Sequence, residues 1–181
     1  MNEEQNPWQI VSAKEVYDNP WINVMAYDVI NPAGNKGIYG KVHYKNIAIG
    51  VVPLDNDDNT YLVGQYRFVL NQYSWEIPEG GCPEGTLPLD SAKRELLEET
   101  GLVAEEWTEI MQLHLSNSVS DEVAYIFTAK QLKQQSPEPE ETEQLVIKKL
   151  QFEEAYMMVE KGIITDAMSV AAILKIKLMR A

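Results

Sequence analysis

Arg94-Glu95-Leu96-Leu97-Glu98-Glu99-Thr100-Gly101-Leu102 is the stretch whose reading decides the fold. It places three carboxylates, Glu95, Glu98 and Glu99, on the last turns of a helix that Gly101 is expected to end. At about 100° per residue, steps of three and four bring all three onto one face. Like charges at that spacing repel. They also lie near the helix C-terminus, where the helix dipole disfavours negative charge. Folding gains nothing from this arrangement. A hard cation reverses the penalty, because Mg²⁺ takes oxygen ligands from carboxylates, water and phosphate. On the opposite face Leu89, Ala92 and Leu96 recur at helical spacing and are expected to pack on a core.

Working outward toward the N-terminus, Trp75-Glu76-Ile77-Pro78-Glu79-Gly80-Gly81 reads as a strand running into a glycine turn. Glycines there allow positive φ and a close approach of the backbone to a ligand or metal. Pro88 near the helix start and Gly101 past its end follow the usual asymmetry of helix boundaries. The unit is strand, glycine-rich loop, acidic helix.

These residues resemble the Nudix box, G-x5-E-x7-R-E-U-x-E-E-x-G-U with U a bulky aliphatic. Gly80, Arg94, Glu95, Leu96, Glu98, Glu99, Gly101 and Leu102 match it in type and spacing. The first Glu of the pattern falls on Thr86, whose hydroxyl is read instead as a helix cap. A surface helix with a solvated acidic face is the bland reading, and both the dipole and the repulsion count against it. The resemblance implies an α/β fold: a Nudix-type α/β/α sandwich with a mixed sheet, plus a small N-terminal antiparallel β appendage.

Composition fits a soluble cytoplasmic enzyme. The 181 residues suit one domain with a small appendage, and the 45% hydrophobic fraction is ordinary for a globular chain. No apolar run approaches the roughly 18 residues of a membrane span, and the polar, acidic start from Met1 to Gln5 is no signal peptide. Cys82 is the only cysteine, so no internal disulfide is expected, and His43 and His114 form no zinc-ligand pair at motif spacing. A formal charge of −13 argues against nucleic acid as a partner. A free nucleotide differs, because metal ions bridge it to carboxylates.

The chain divides at about residue 45 into an appendage, 1–45, and a main domain, 46–181. Strands are expected over 8–16, 21–30 and 37–44, with turns at Asn19-Pro20 and at Asn31 to Gly34. In the main domain, strands over 47–54 and 61–66 flank Asp55-Asn56-Asp57-Asp58-Asn59, read as a hairpin loop. Further strands are expected over 107–113, 122–128 and 146–150, helices over 152–161 and 165–179, and a Pro- and Glu-rich loop over 136–144.

Outside the box the chain resembles the ADP-ribose and nucleoside-diphosphate-sugar pyrophosphatase branch. The points of contact are the β appendage, Gln65-Tyr66-Arg67, Glu76 to Gly80, the late acidic loop, and a closing helix starting near Asp166-Ala167. That branch implies a homodimer in which the appendage reaches across a two-fold axis and completes the partner's site. It implies Mg²⁺, with Mn²⁺ as a substitute, and a nucleotide-sugar substrate. The expected metal ligands are Glu95 and Glu99, with Glu98 a third or a bridge and the Glu79 carbonyl an addition if the glycine turn aims it inward. Arg94 is expected to pair with a carboxylate and orient the helix rather than touch substrate. Gly81 is placed against substrate by its position in the box loop.

Three substrate contacts carry two readings each. Arg67 is a phosphate fork or a surface strand-end arginine. Trp21 stacks on a base or fills a core. Glu122 is a loop acid near the substrate or an ordinary strand-edge acid. A base must also take a proton from the attacking water. Alignment on the strand after the late loop puts Glu141 at the family's base position and Glu143 at an extra metal ligand; a solvated acidic loop is the alternative. A Nudix-fold binding module without catalysis is the competing function. Retention of Arg94, Glu95, Glu98 and Glu99 favours the enzyme.

Overall fold

The computed structural model describes residues 5–136 and 145–180. The chain separates into two compact units, one taking residues up to Asn46 together with Ser116–Glu122, the other Ile47–Leu115 and Val123 onward.

The first unit is an antiparallel meander of β1 (Gln9–Asp18), β2 (Ile22–Ile30) and β3 (Lys36–Tyr44), in the order β1-β2-β3. Asparagine side chains shape its turns, as their amide oxygens fold back onto nearby backbone. Asn19 Oδ1 accepts from the Trp21 and Ile22 N–H groups, and Asn31 Oδ1 from those of Ala33 and Asn35. The 116–122 segment joins this sheet through the Val42 N–H, which donates to the Val119 carbonyl at 2.8 Å.

The second unit carries β4 (Asn46–Pro53), β5 (Asn59–Arg67), β6 (Gln72–Glu76), β7 (Glu79–Pro83), α1 (Pro88–Thr100), β8 (Leu102–His114), β9 (Val123–Gln134), β10 (Val146–Gln151), α2 (Phe152–Glu160) and α3 (Ala167–Met179). A mixed sheet runs β7-β4-β9-β8, with β4 parallel to β9 and β8 antiparallel to it; an antiparallel sheet runs β10-β5-β6. The expected hairpin across Asp55–Asn59 is not formed, since β4 and β5 belong to different sheets. Asp55 does organise a tight turn, accepting from the Asp57 and Asn59 N–H groups. The same turn chemistry serves a hairpin or a change of sheet. The apolar run Ile49–Leu54 explains the change: buried on both faces, β4 belongs in the middle of a parallel pairing.

Strand alternation sends successive β4 side chains to opposite faces. Ile49 and Val51 join Ala92 and Leu96 of α1 in one cluster; Val52 and Leu54 join Phe152 and Ala155 of α2 and Ile173 and Ile176 of α3 in another. The sheet is therefore buried between helices on both sides, the expected α/β/α arrangement. Leu89, Ala92 and Leu96 face the core as their spacing predicts.

Helix α1 begins with Pro88 at its first turn and ends at Gly101, which takes φ 69° and donates its N–H to the Leu97 carbonyl. Only a residue without Cβ adopts that conformation readily. Leu87, not Thr86, holds the N-cap position, and no side chain caps it. Proline at the start reduces the need, because its nitrogen has no hydrogen to satisfy.

Candidate active site

Gly80 and Gly81 lie in strand β7 rather than in a turn, and neither takes positive φ. Space, not backbone freedom, requires glycine at Gly80, because a Cβ there would collide with the Glu95 carboxyl group. The expected glycine turn is therefore corrected to a strand. Glu79 enters the site through its N–H, which donates to Glu99 Oε2 at 2.9 Å, and through its side chain.

The acidic face of α1 meets β7 as the spacing of Glu95, Glu98 and Glu99 requires. Glu95 and Glu99 are buried and Glu98 is partly so. Arg94 bonds two of them: Nη1 reaches Glu98 at 2.7 Å, and Nη2 reaches Glu95 Oε1 at 2.6 Å and the Gly81 carbonyl at 2.7 Å. Burial works against the Arg94 charge, but Glu95 and Glu98 outweigh it and raise its pKa. Arg94 thus ties two carboxylates to the β7 backbone.

A second guanidinium stands at the other end of the cluster. Arg67 bonds Glu76 through Nε at 3.0 Å and Nη2 at 2.5 Å, and Glu79 Oε1 through Nη2 at 2.7 Å. It is not a lone strand-end arginine but the centre of an ion-pair network. Burial of Glu79, then its neighbours Asp166, Glu76 and Glu99, pushes its carboxyl well above the usual range, with Arg67 opposing. Glu79 Oε2 is buried and has no hydrogen-bond partner among the described residues. Helix α3 fixes the approach to β7: Ser169 Oγ accepts from the Ile77 N–H at 2.9 Å, while Asp166 caps the helix through the Ser169 N–H.

Glu76 and Asp166 are the members that sequence reading missed. Glu76 is 3% exposed at the end of β6, where Ser74 is the other buried residue. A carboxylate there demands a partner, and Arg67 stands on the neighbouring strand.

Trp21 and Glu122 belong to the first unit. Trp21 is 67% exposed, which removes the core reading. Glu122 has its pKa raised by burial, while Asp121 beside it is bound by Lys41 at 2.6 Å and His43 at 2.9 Å. Glu141 and Glu143 lie outside the described residues.

Among the described residues no three Asp, Glu, His or Cys side chains close on a common point. The donor chemistry nonetheless fits a hard cation. Among the described residues Arg67 pairs with Glu76 and Glu79, Arg94 pairs with Glu95 and Glu98, and Glu99 accepts from the Glu79 N–H, so carboxylates crowd one seam. A buried carboxylate oxygen without a donor is a ready ligand for Mg²⁺ or Mn²⁺.

A helix presenting carboxylates to a glycine strand, inside an α/β/α sandwich, defines a Nudix-type hydrolase. Residues 44–167 match the NUDIX domain and residues 8–42 the nucleoside diphosphate sugar hydrolase N-terminal domain, and the chain belongs to the Nudix family. Nudix hydrolases generally need divalent metal ions. The chain is 28% identical over 173 residues to an ADP-ribose pyrophosphatase of Bacillus subtilis, spanning 94% of this chain and 93% of that one. It is 27% identical over the same shares to a methanol dehydrogenase activator of Bacillus methanolicus. An ADP-ribose pyrophosphatase of Mycobacterium tuberculosis is 30% identical over 132 residues, 71% of this chain and 64% of that one. The crystal structure of an ADP compounds hydrolase shares the fold, with a TM-score of 0.87 over 98% of this chain and 96% of that chain at 22% identity. Among the described residues no helix is long and apolar enough to cross a membrane.

Proposed function

We propose that this hydrolase cleaves the diphosphate of a nucleoside diphosphate linked to a sugar, ADP-ribose or a similar nucleotide sugar, to a nucleoside monophosphate and a sugar phosphate. The carrying observation is the cluster of Glu79, Glu95, Glu98 and Glu99 on the α1–β7 seam, where Arg94 bonds Glu95 and Glu98 and the Glu79 N–H bonds Glu99. The match of residues 8–42 and the names of the relatives support the substrate class.

Glu95 and Glu99, with Glu79 beside them and Glu98 as a third or bridging carboxylate, would hold the cation. When bound, it supplies positive charge that neutralises the diphosphate and the leaving phosphate. Arg94 keeps Glu95 and Glu98 in place. Arg67 offers phosphate oxygens a planar fork, and the Gly81 segment lines the approach. Trp21 gives a nucleobase an exposed aromatic face, and Glu122 a hydrogen-bond acceptor for the sugar. Glu141, assigned from its place in the sequence, takes the proton of a water whose oxygen bonds to one phosphorus. The bridging oxygen leaves with the other phosphate. Glu143, assigned in the same way, adds a metal ligand. In this reading the protein acts in the cytoplasm as a homodimer in which the appendage serves the partner's site.

A panel of nucleotide sugars incubated with Mg²⁺, with released monophosphate separated by chromatography, tests the reading. Turnover of ADP-ribose or a nucleoside diphosphate sugar, absent in chelator, is expected. Absence of turnover across the panel would leave the binding-module reading in its place.

A further inference from the structure

Arg67 has two edges able to grip an oxyanion with paired N–H groups. Its Nε–Nη2 edge is spent on Glu76, with contacts at 3.0 and 2.5 Å. The other edge, Nη1–Nη2, is the one left for a phosphate. Half of it is taken: Nη2 also bonds Glu79 Oε1 at 2.7 Å, and Nη1 has no partner among the described residues. Glu79 therefore occupies the position that one oxygen of a phosphate would take.

Glu79 also touches the metal-ligand side of the cluster. Its N–H donates to Glu99, the next residue packs on the Glu95 carboxyl group, and its second oxygen, Oε2, is buried without a donor among the described residues. One carboxylate thus stands between a guanidinium that binds anions and a pair of carboxylates that bind a cation. In the first setting it has one strong partner and one bare oxygen. With a cation beside Glu95 and Glu99, it gains an alternative partner for that oxygen.

We propose that Glu79 is an internal stand-in for the substrate phosphate on Arg67, and that it yields Arg67 to substrate when a divalent cation joins Glu95 and Glu99. This rests on the assignment of Arg67 to phosphate and of Glu95 and Glu99 to the cation. Without metal, a diphosphate must displace a buried carboxylate from the fork. With metal, Glu79 has a second partner and the fork opens. Glu79 then makes anion binding conditional on the cation, a specificity role distinct from simple ligation.

The test is the affinity of ADP, measured calorimetrically in EDTA and in Mg²⁺, for the wild type, Glu79→Gln, Glu98→Gln and Arg67→Lys. In EDTA, Glu79→Gln should bind ADP roughly tenfold more tightly than the wild type, as expected when a charge-assisted competitor is removed. Glu98→Gln removes the same charge from the cluster but touches Arg94 rather than Arg67, so its effect should be much smaller. Glu79→Ala should act in the same direction as Glu79→Gln and serves if the glutamine distorts β7. Equal tightening by Glu79→Gln and Glu98→Gln would reduce the effect to general charge relief and overturn the gate. So would metal-free ADP binding by Glu79→Gln and Glu79→Ala no tighter than wild type. In either case, if Arg67→Lys still weakens ADP binding in Mg²⁺, the phosphate role of Arg67 stands and only the gate falls. If Arg67→Lys binds ADP in Mg²⁺ as the wild type does, the phosphate assignment itself is wrong.

Discussion

The backbone N–H of Glu79 donates to the side chain of Glu99 at 2.9 Å, tying strand β7 to the acidic face of α1. Glutamine at Glu99 keeps an acceptor for that N–H but loses the charge. Glu99→Gln should retain the fold and lose activity by roughly 10³-fold or more, because metal-borne charge stabilisation is worth several kcal/mol. Removing one of a set of repelling charges should leave the metal-free protein at least as stable. Circular dichroism with steady-state kinetics reads both effects; wild-type turnover by this variant would remove Glu99 from the metal set.

Arg94 spans Glu95, Glu98 and the Gly81 carbonyl with two nitrogens. A lysine has one nitrogen and no planar fork. Arg94→Lys should raise the Mg²⁺ concentration needed for half-maximal rate by about 10–100-fold, the usual cost of losing a residue that orients metal ligands. The saturating-metal rate should recover in part. A variant with unchanged metal dependence would mean that Glu95 and Glu98 hold their places without Arg94.

Asp55 predicts a pH-dependent stability unrelated to activity. Burial raises its pKa, but Lys149, Asn59 and Asp57 outweigh it and bring the carboxyl from 3.8 to about 2. A depressed pKa contributes stability above the unfolded-state value, and that stability is lost as pH falls through the folded one. Asp55→Ala should cost about 1–3 kcal/mol at pH 7 through lost hydrogen bonds. Compared by urea titration, the gap between wild type and variant should narrow between about pH 4 and pH 2.

Glu141→Gln should lower kcat by roughly 10²–10⁴-fold with a smaller effect on KM, as removal of a general base does. Glu143→Gln should instead shift the metal requirement upward. Near-full activity in both variants would return the base to the box, with Glu98 next in line.

The first unit leaves Ile10, Val11, Val16, Trp21 and Ile38 each at least 60% exposed. A homodimer that covers this sheet would account for so much apolar surface. Light scattering at micromolar concentration should give twice the chain mass of 20.6 kDa; a monomer mass would reject the assembly.

Much of the site was legible in the chain because its signals are local. A helix turns at a fixed rate, so the spacing of Glu95, Glu98 and Glu99 alone puts them on one face, and Pro88 and Gly101 mark the ends. The apolar run from Ile47 to Leu54 announced a strand, and β4 forms there. What the sequence could not settle was pairing between distant segments. Asp55–Asn59 is a turn by composition, yet whether it returns the chain to the same sheet depends on β9 and β10 competing for β4 and β5. Gly80 looked like a flexible turn because sequence does not show what a missing Cβ avoids; only packing of α1 on β7 puts the Glu95 carboxyl there. Arg67 showed its charge but not its partners. Its grip on Glu76 comes from β6 pairing with β5, its reach to Glu79 crosses to a strand of the other sheet, and desolvation in that fold gives a buried carboxylate its need for a guanidinium.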